Sequence, residues 1–187
     1  MSLLGIHVLG SPVLRKETTP VAVIDAALQQ LIDDMFETMY AAHGIGLAAP
    51  QVGRTERLTV VDVDRERQLV LINPEIVERS AATVRAEEGC LSIPEVFADV
   101  DRPERVVVRA LDREGQPFQI EATELLARCL QHEIDHLHGK LFIDYLSVLK
   151  KKAALAEWEE EKRQYPQLIR TVQAPAEIAR HHDDAEL

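Results

Sequence analysis

Aromatic residues make up only 4% of the chain, cysteine occurs twice, and the 21 basic residues are outnumbered by 32 acidic ones. Each shortage excludes something. With so few rings, the core has to be built from aliphatic side chains. Two cysteines, Cys90 and Cys129, cannot form the disulfide framework of a small secreted domain, and reduced thiols are the simpler reading. A net charge of -11 argues against general binding to nucleic acid or to anionic membranes, both of which need a basic face. No apolar run approaches the roughly 18 residues that span a bilayer. The start, MSLLGIHVLG, has no basic lead-in, long apolar stretch or cleavage site, so it does not read as a signal peptide. Internal repeats and low-complexity blocks are missing too.

What is there is ordinary globular material. The length of 187 residues suits one domain, or one domain with a tail. The expected division is a folded domain over 1–166 and a polar, flexible tail over 167–187 that ends in RHHDDAEL. Leu28, Leu31, Ile32, Met35, Phe36 and Met39 recur at helical spacing, with Asp25 as cap. LTVVDV (58–63), QLVLI (68–72), RVVVRAL (105–111) and PFQIEA (117–122) read as strands, the last two as a hairpin across DREG. Pro74, Pro94 and Pro103 are expected in loops. A second helix starts near Thr123 and stops at Gly139, and a charged third runs from about Ser147 to Gln164.

The second helix contains QHEIDH (131–136). On a helix, residues i and i+4 lie about 40° apart around the axis and about 6 Å apart along it. His132 and His136 can therefore aim at one metal ion, and Glu133 can reach a water beside it without being a ligand. Two ligands are too few, and the third is open to several readings. A further histidine in the metzincin pattern fails, because Phe142 stands at its place. Glu157, Glu159, Glu160 or Glu161 could serve, as in zinc peptidases with a downstream glutamate. Cys129 is two turns from His136 and too short to reach, which makes it a small core residue. Cys90, in EEGCLSIP after Gly89, would give a thiolate and two imidazoles with a fourth position open, as a catalytic site requires.

A second unusual stretch is GIGLAAPQVG (44–53). Its plain reading is a tight apolar connection. Its small residues also allow close approach to a ligand, and the amide of Gln51 could stabilise an oxyanion.

Taken together, GIGLAAPQ (44–51), EGCLS (88–92) and QHEIDH (131–136) resemble the three motifs of the peptide deformylases, intact and in order. The resemblance extends over SPVLRKETTPV near the start and HGKLFIDYLS (138–147), and so covers about residues 4–165. It implies an α+β fold, with mainly antiparallel strands around the central motif-bearing helix and a further helix towards each end. It implies hydrolysis of the N-formyl group from the formylmethionine of nascent proteins, with release of formate. Cys90, His132 and His136 are then the metal ligands. Glu133 moves the proton, and Gln51 with the backbone N–H of Leu91 holds the oxyanion. The family metal is ferrous iron, with zinc, nickel or cobalt as substitutes; chemistry alone would suggest zinc.

Leu125 and Cys129 lie seven residues before His132 and His136 and continue the metal-facing stripe. With Ile45 they could line an apolar pocket for the methionine side chain. Gly46 and Gly89 would offer backbone groups to the peptide, as matching glycines do in the family. Asp135 would support the site from behind, and Glu88 would pair with Arg102. The chain departs from common family patterns at His43, Phe97 and Arg128. The implied partner is a formylated nascent polypeptide. Lys150, Lys151 and Lys152 could make a transient ribosome contact, although acidic EWEEEK follows at once. The expected setting is the bacterial cytoplasm, with no DNA or membrane partner.

Overall fold

Leu28, Leu31, Ile32, Met35, Phe36 and Met39 are all buried on one face of the first helix, α1 (Ala26–Ala41). Its start is fixed as expected: the Asp25 carboxylate accepts from the Leu28 N–H at 2.9 Å. The computed structural model describes residues 2–173. Among the described residues, nine strands follow the chain order β1 (Ile6–His7), β2 (Gly46–Ala48), β3 (Leu58–Val61), β4 (Leu69–Arg79), β5 (Thr83–Cys90), β6 (Ile93–Pro103), β7 (Arg105–Leu111), β8 (Pro117–Thr123) and β9 (Ile169–Arg170). Two more α-helices lie among the described residues, α2 (Glu124–Leu137) and α3 (Val148–Glu161).

Five strands form one antiparallel sheet in the order β2-β3-β4-β7-β8. Strand alternation divides its side chains between two helices. Val60, Val70 and Ile72 pack with α1. Val61, Leu69, Leu71, Val106 and Val108 pack with Ala127, Leu130 and Ile134 of α2. The sheet is thus covered on both faces, and α2 lies between it and the separate β5–β6 hairpin. Ile93, Val96 and Val100 of that hairpin pack with Phe142, Ile143 and the α3 residues Ala154 and Trp158. The mixed fold expected from the resemblance is the one observed. Among the described residues, no helix is long and apolar enough to cross a membrane.

The prolines are a correction. Pro74 lies inside β4, and Pro94 and Pro103 lie inside β6, not in loops. The register of β4 against β7 shifts between Ile72 and Glu75, so Pro74 sits at an irregularity where a ladder N–H is not needed. The β5–β6 hairpin has two free edges, where a missing donor costs little. Part of GIGLAAPQVG, expected as a connection, is strand β2, followed by a tight turn over Ala49–Val52.

Gly139 ends α2 as expected. It has φ +66°, and a Cβ there would lie 2.7 Å from the Arg15 carbonyl oxygen. Beyond α3 the chain turns at Pro166–Leu168 and pairs β9 with β1. The tail expected from residue 167 is therefore joined to the fold as far as Arg170. Residues 174–187, including His181 and His182, lie outside the described residues.

Candidate active site

His132 and His136 project from the same face of α2, their ring centroids 5.0 Å apart. Cys90 ends β5 at the tight Leu91–Ser92 turn into β6, and that turn carries its thiol to the helix. Its Sγ lies 3.3 Å from His136 Nε2. One donor atom from each of Cys90, His132 and His136 falls within 4.8 Å of the other two. A tetrahedral ion with bonds of about 2.0–2.3 Å needs donor separations of about 3.5 Å, so the three residues fit a metal ion. His132 Nδ1 is hydrogen-bonded to Glu88 Oε2 at 3.1 Å, which turns its Nε2 to the site. Burial, then the charge of His132, holds His136 well below the usual imidazole range.

The rival glutamates do not join this cluster. Glu159 and Glu160 pair with Lys162 and Arg163 on the surface of α3, and Glu161 accepts from Gln164. The only three-donor group among the described residues is the one with Cys90.

Glu133 is buried beside the donors, and its Oε2 has no hydrogen-bond partner. Burial above all, with the charge of Glu88, pushes its carboxyl up to about 7 against the pull of His132. A carboxyl so placed can take and return a proton near neutral pH. Gln51 is oriented at both ends of its amide. Its Oε1 accepts from the Ala48 N–H at 2.8 Å, while Nε2 donates to Ser92 Oγ at 3.2 Å and lies 3.7 Å from Cys90 Sγ. The turn after β2 is what brings this residue to the metal cluster.

Behind the ligands is a buried charge network. Glu88 accepts from Arg102 at 2.8 and 3.0 Å and from Arg128 at 2.7 Å. Burial opposes its ionisation, but the Arg102 and His132 hydrogen bonds hold Glu88 well below the usual carboxylate range. Arg102 also donates to Asp135 at 2.6 Å, and Asp135 accepts from the Tyr145 hydroxyl at 2.9 Å.

In front of the ligands opens a pocket of about 390 Å³. Ile45, Gly46, Gly89, Leu91, Leu125 and Cys129 all line it, so the residues expected to hold substrate are brought together. Leu125 is half-exposed at the mouth and is not a core residue; Cys129 is both core and pocket floor. Sequence reading did not single out Arg170, which β9 carries to the same mouth. Nothing in the local pattern around it marks this position, because only the pairing with β1 puts it there.

A pocket over one thiol and two imidazole donors, with a buried carboxyl oxygen that lacks a partner beside them, fits the class of metal-dependent hydrolases. Residues 3–152 match the polypeptide deformylase family. A peptide deformylase of Alkalilimnicola ehrlichii is 53% identical over 167 residues, covering 88% of this chain and 93% of that protein. The crystal structure of a peptide deformylase from Legionella pneumophila aligns with a TM-score of 0.84 at 50% identity, covering 87% of this chain and 97% of its own. A peptide deformylase from Synechococcus elongatus, solved in complex with actinonin, aligns at 0.79 with 46% identity, over 90% of this chain and 91% of that one. The chain belongs to the polypeptide deformylase family, and it is an enzyme.

Proposed function

We propose that this enzyme removes the formyl group from the N-terminal formylmethionine of newly synthesised polypeptides. The observation that carries this reading is the convergence of Cys90, His132 and His136 with Glu133 and Gln51 beneath one partly apolar pocket. A divalent cation held by the three ligands supplies Lewis acidity, which polarises a carbonyl and makes water a better nucleophile. Ferrous iron is the proposed native ion, with zinc, nickel or cobalt as substitutes.

The rest is done by the chain's own residues. Ile45, Leu125 and Cys129 receive the methionine side chain, and Gly46 and Gly89 leave the backbone open for the peptide. Glu133 takes a proton from the attacking water as its oxygen bonds to the formyl carbon. The oxygen of the tetrahedral intermediate accepts hydrogen bonds from Gln51 Nε2 and the Leu91 N–H. As the C–N bond breaks, Glu133 returns the proton to the leaving nitrogen, giving formate and a free amino terminus.

The substrate reading places the enzyme in the cytoplasm, where it processes N-terminal methionine as chains emerge. A transient ribosome contact would fall to Lys150, Lys151 and Lys152, beside the exposed Val148 and Leu149. The test of function is formate release from a formyl-Met tripeptide by anaerobically iron-loaded protein, with Glu133→Ala as control. Turnover that is lost in the control supports the reading; no turnover in metal-loaded wild type overturns it.

A further inference from the structure

His43, Phe97 and Arg128, which the resemblance marks as departures, line the same pocket. His43 and Phe97 are exposed there. Arg128 is different: its side chain is only 12% exposed, and its guanidinium is occupied. Nη1 donates to Glu88 Oε1 at 2.7 Å and to the Val100 carbonyl at 3.0 Å, and Nη2 donates to the Val84 carbonyl at 2.7 Å.

These acceptors have a pattern. Val84 and Glu88 belong to β5, Val100 to β6, and Arg128 to α2, one turn before His132. One side chain therefore ties both strands of the hairpin to the helix. The hairpin carries Cys90, and the helix carries His132 and His136. Glu88–His132, Arg102–Asp135 and Gln131–Pro103 tie the hairpin to the helix along the same seam, and the distance between thiolate and imidazoles depends on how the hairpin sits on α2. Glu88 is the second link. Arg128 and Arg102 both donate to its Oε1, and its Oε2 fixes the His132 ring.

We propose that Arg128 is a positioning residue of the metal centre. It locks the β5–β6 hairpin onto α2 and so holds Cys90 and Glu88 in register with His132 and His136. Its polar atoms face the wall, so its effect is on metal retention and not on substrate binding. The inference rests on the metal reading given above. A leucine is the natural probe, because it keeps an aliphatic stem on α2 while removing all three hydrogen bonds. A lysine keeps the charge but can reach fewer of the three acceptors.

The experiment uses full-length wild type, Arg128→Leu and Arg128→Lys, each loaded anaerobically with Co2+. Release of Co2+ to excess chelator is followed through the thiolate–cobalt absorption, with thermal unfolding of the metal-free proteins as a fold control. Arg128→Leu is expected to release Co2+ about tenfold faster, with Arg128→Lys between it and wild type. KM for a formyl-Met tripeptide is expected to stay within about twofold of wild type. Release from Arg128→Leu at the wild-type rate overturns the proposal, as does a raised KM with unchanged release, which would make Arg128 a substrate contact. If Arg128→Leu does not fold, Arg128→Lys decides on the same release rate. Wild type that holds no Co2+ would sink the metal reading itself, a separate result.

Discussion

A Cβ placed on Gly46 would lie 2.5 Å from Oε1 of Glu133. The glycine is thus the space into which the proposed proton carrier fits, and its side-chain hydrogen is as much a part of the site as the carboxylate. Gly46→Ala must push Glu133 aside or tilt β2. A displacement of this size is expected to lower kcat about 100-fold, because the proton no longer travels over a fitted distance. Steady-state formate release checks this. Metal content measured in parallel should stay at one ion per chain, since the three atoms nearest the added methyl all belong to Glu133 and none to a metal ligand.

Cys90 and Cys129 should differ sharply as thiols. Burial, with the nearby charge of Glu133, raises the Cys129 thiol well above its ordinary range, while Cys90 is only half-buried at the pocket. Metal-free protein kept reduced should take up one equivalent of iodoacetamide, at Cys90. Loading the metal should slow that reaction by about tenfold or more, because the sulfur's lone pair is then engaged. Peptide mapping by mass spectrometry reads both results. Modification of Cys129 first would contradict the assignment.

Glu88 answers to two guanidiniums and one imidazole at a buried position. Glu88→Ala would leave Arg102 with Asp135 as its one remaining ion-pair partner, and Arg128 with none, among the described residues. Breaking such a buried pair from one side costs about 3–5 kcal/mol. For a chain of this size that lowers Tm by roughly 10 °C. Calorimetry on the metal-free variant isolates this cost from any loss of metal.

Asp144 gives the fold a measurable acid limit. Burial works against its charge, yet the Arg15 guanidinium, the Lys151 ammonium at 2.8 Å and the Leu141 N–H at 3.0 Å bring it from 3.8 down to about 2. A carboxyl lowered by folding stabilises the native state above its unfolded pKa, and the gain disappears as pH falls through the folded one. The contribution should therefore be complete above about pH 5 and fade towards pH 2, worth about 1 kcal/mol once solvent screening is allowed for. Asp144→Asn should be less stable than wild type at pH 7 and should converge with it at the acid end. Urea midpoints across that range would show it; curves that stay parallel would refute the link.

Much of this site was legible in the residues alone. The His132–His136 pair, its helix, the Asp25 cap and the stop at Gly139 follow from periods and turns that act within a few residues. They hold wherever the chain goes afterwards. The β5–β6 hairpin was poorly legible, because its prolines argue for loops unless two free edges are known to tolerate them. The third ligand stayed open to residue chemistry, with Cys90 and four glutamates in play, until the motif pattern favoured the cysteine. The three-dimensional arrangement decided that Cys90, 46 residues from His136, comes within 3.3 Å of it. It also decided that Gly46 makes room for Glu133, that Arg128 faces the hairpin, and that Arg170 reaches the pocket. The division has one physical cause. A helix face is set by the 3.6-residue period of the backbone, which the sequence displays directly. The meeting of hairpin, helix and turn is set by which apolar faces bury one another across the sheet, and the sequence specifies those faces without stating which pairs with which.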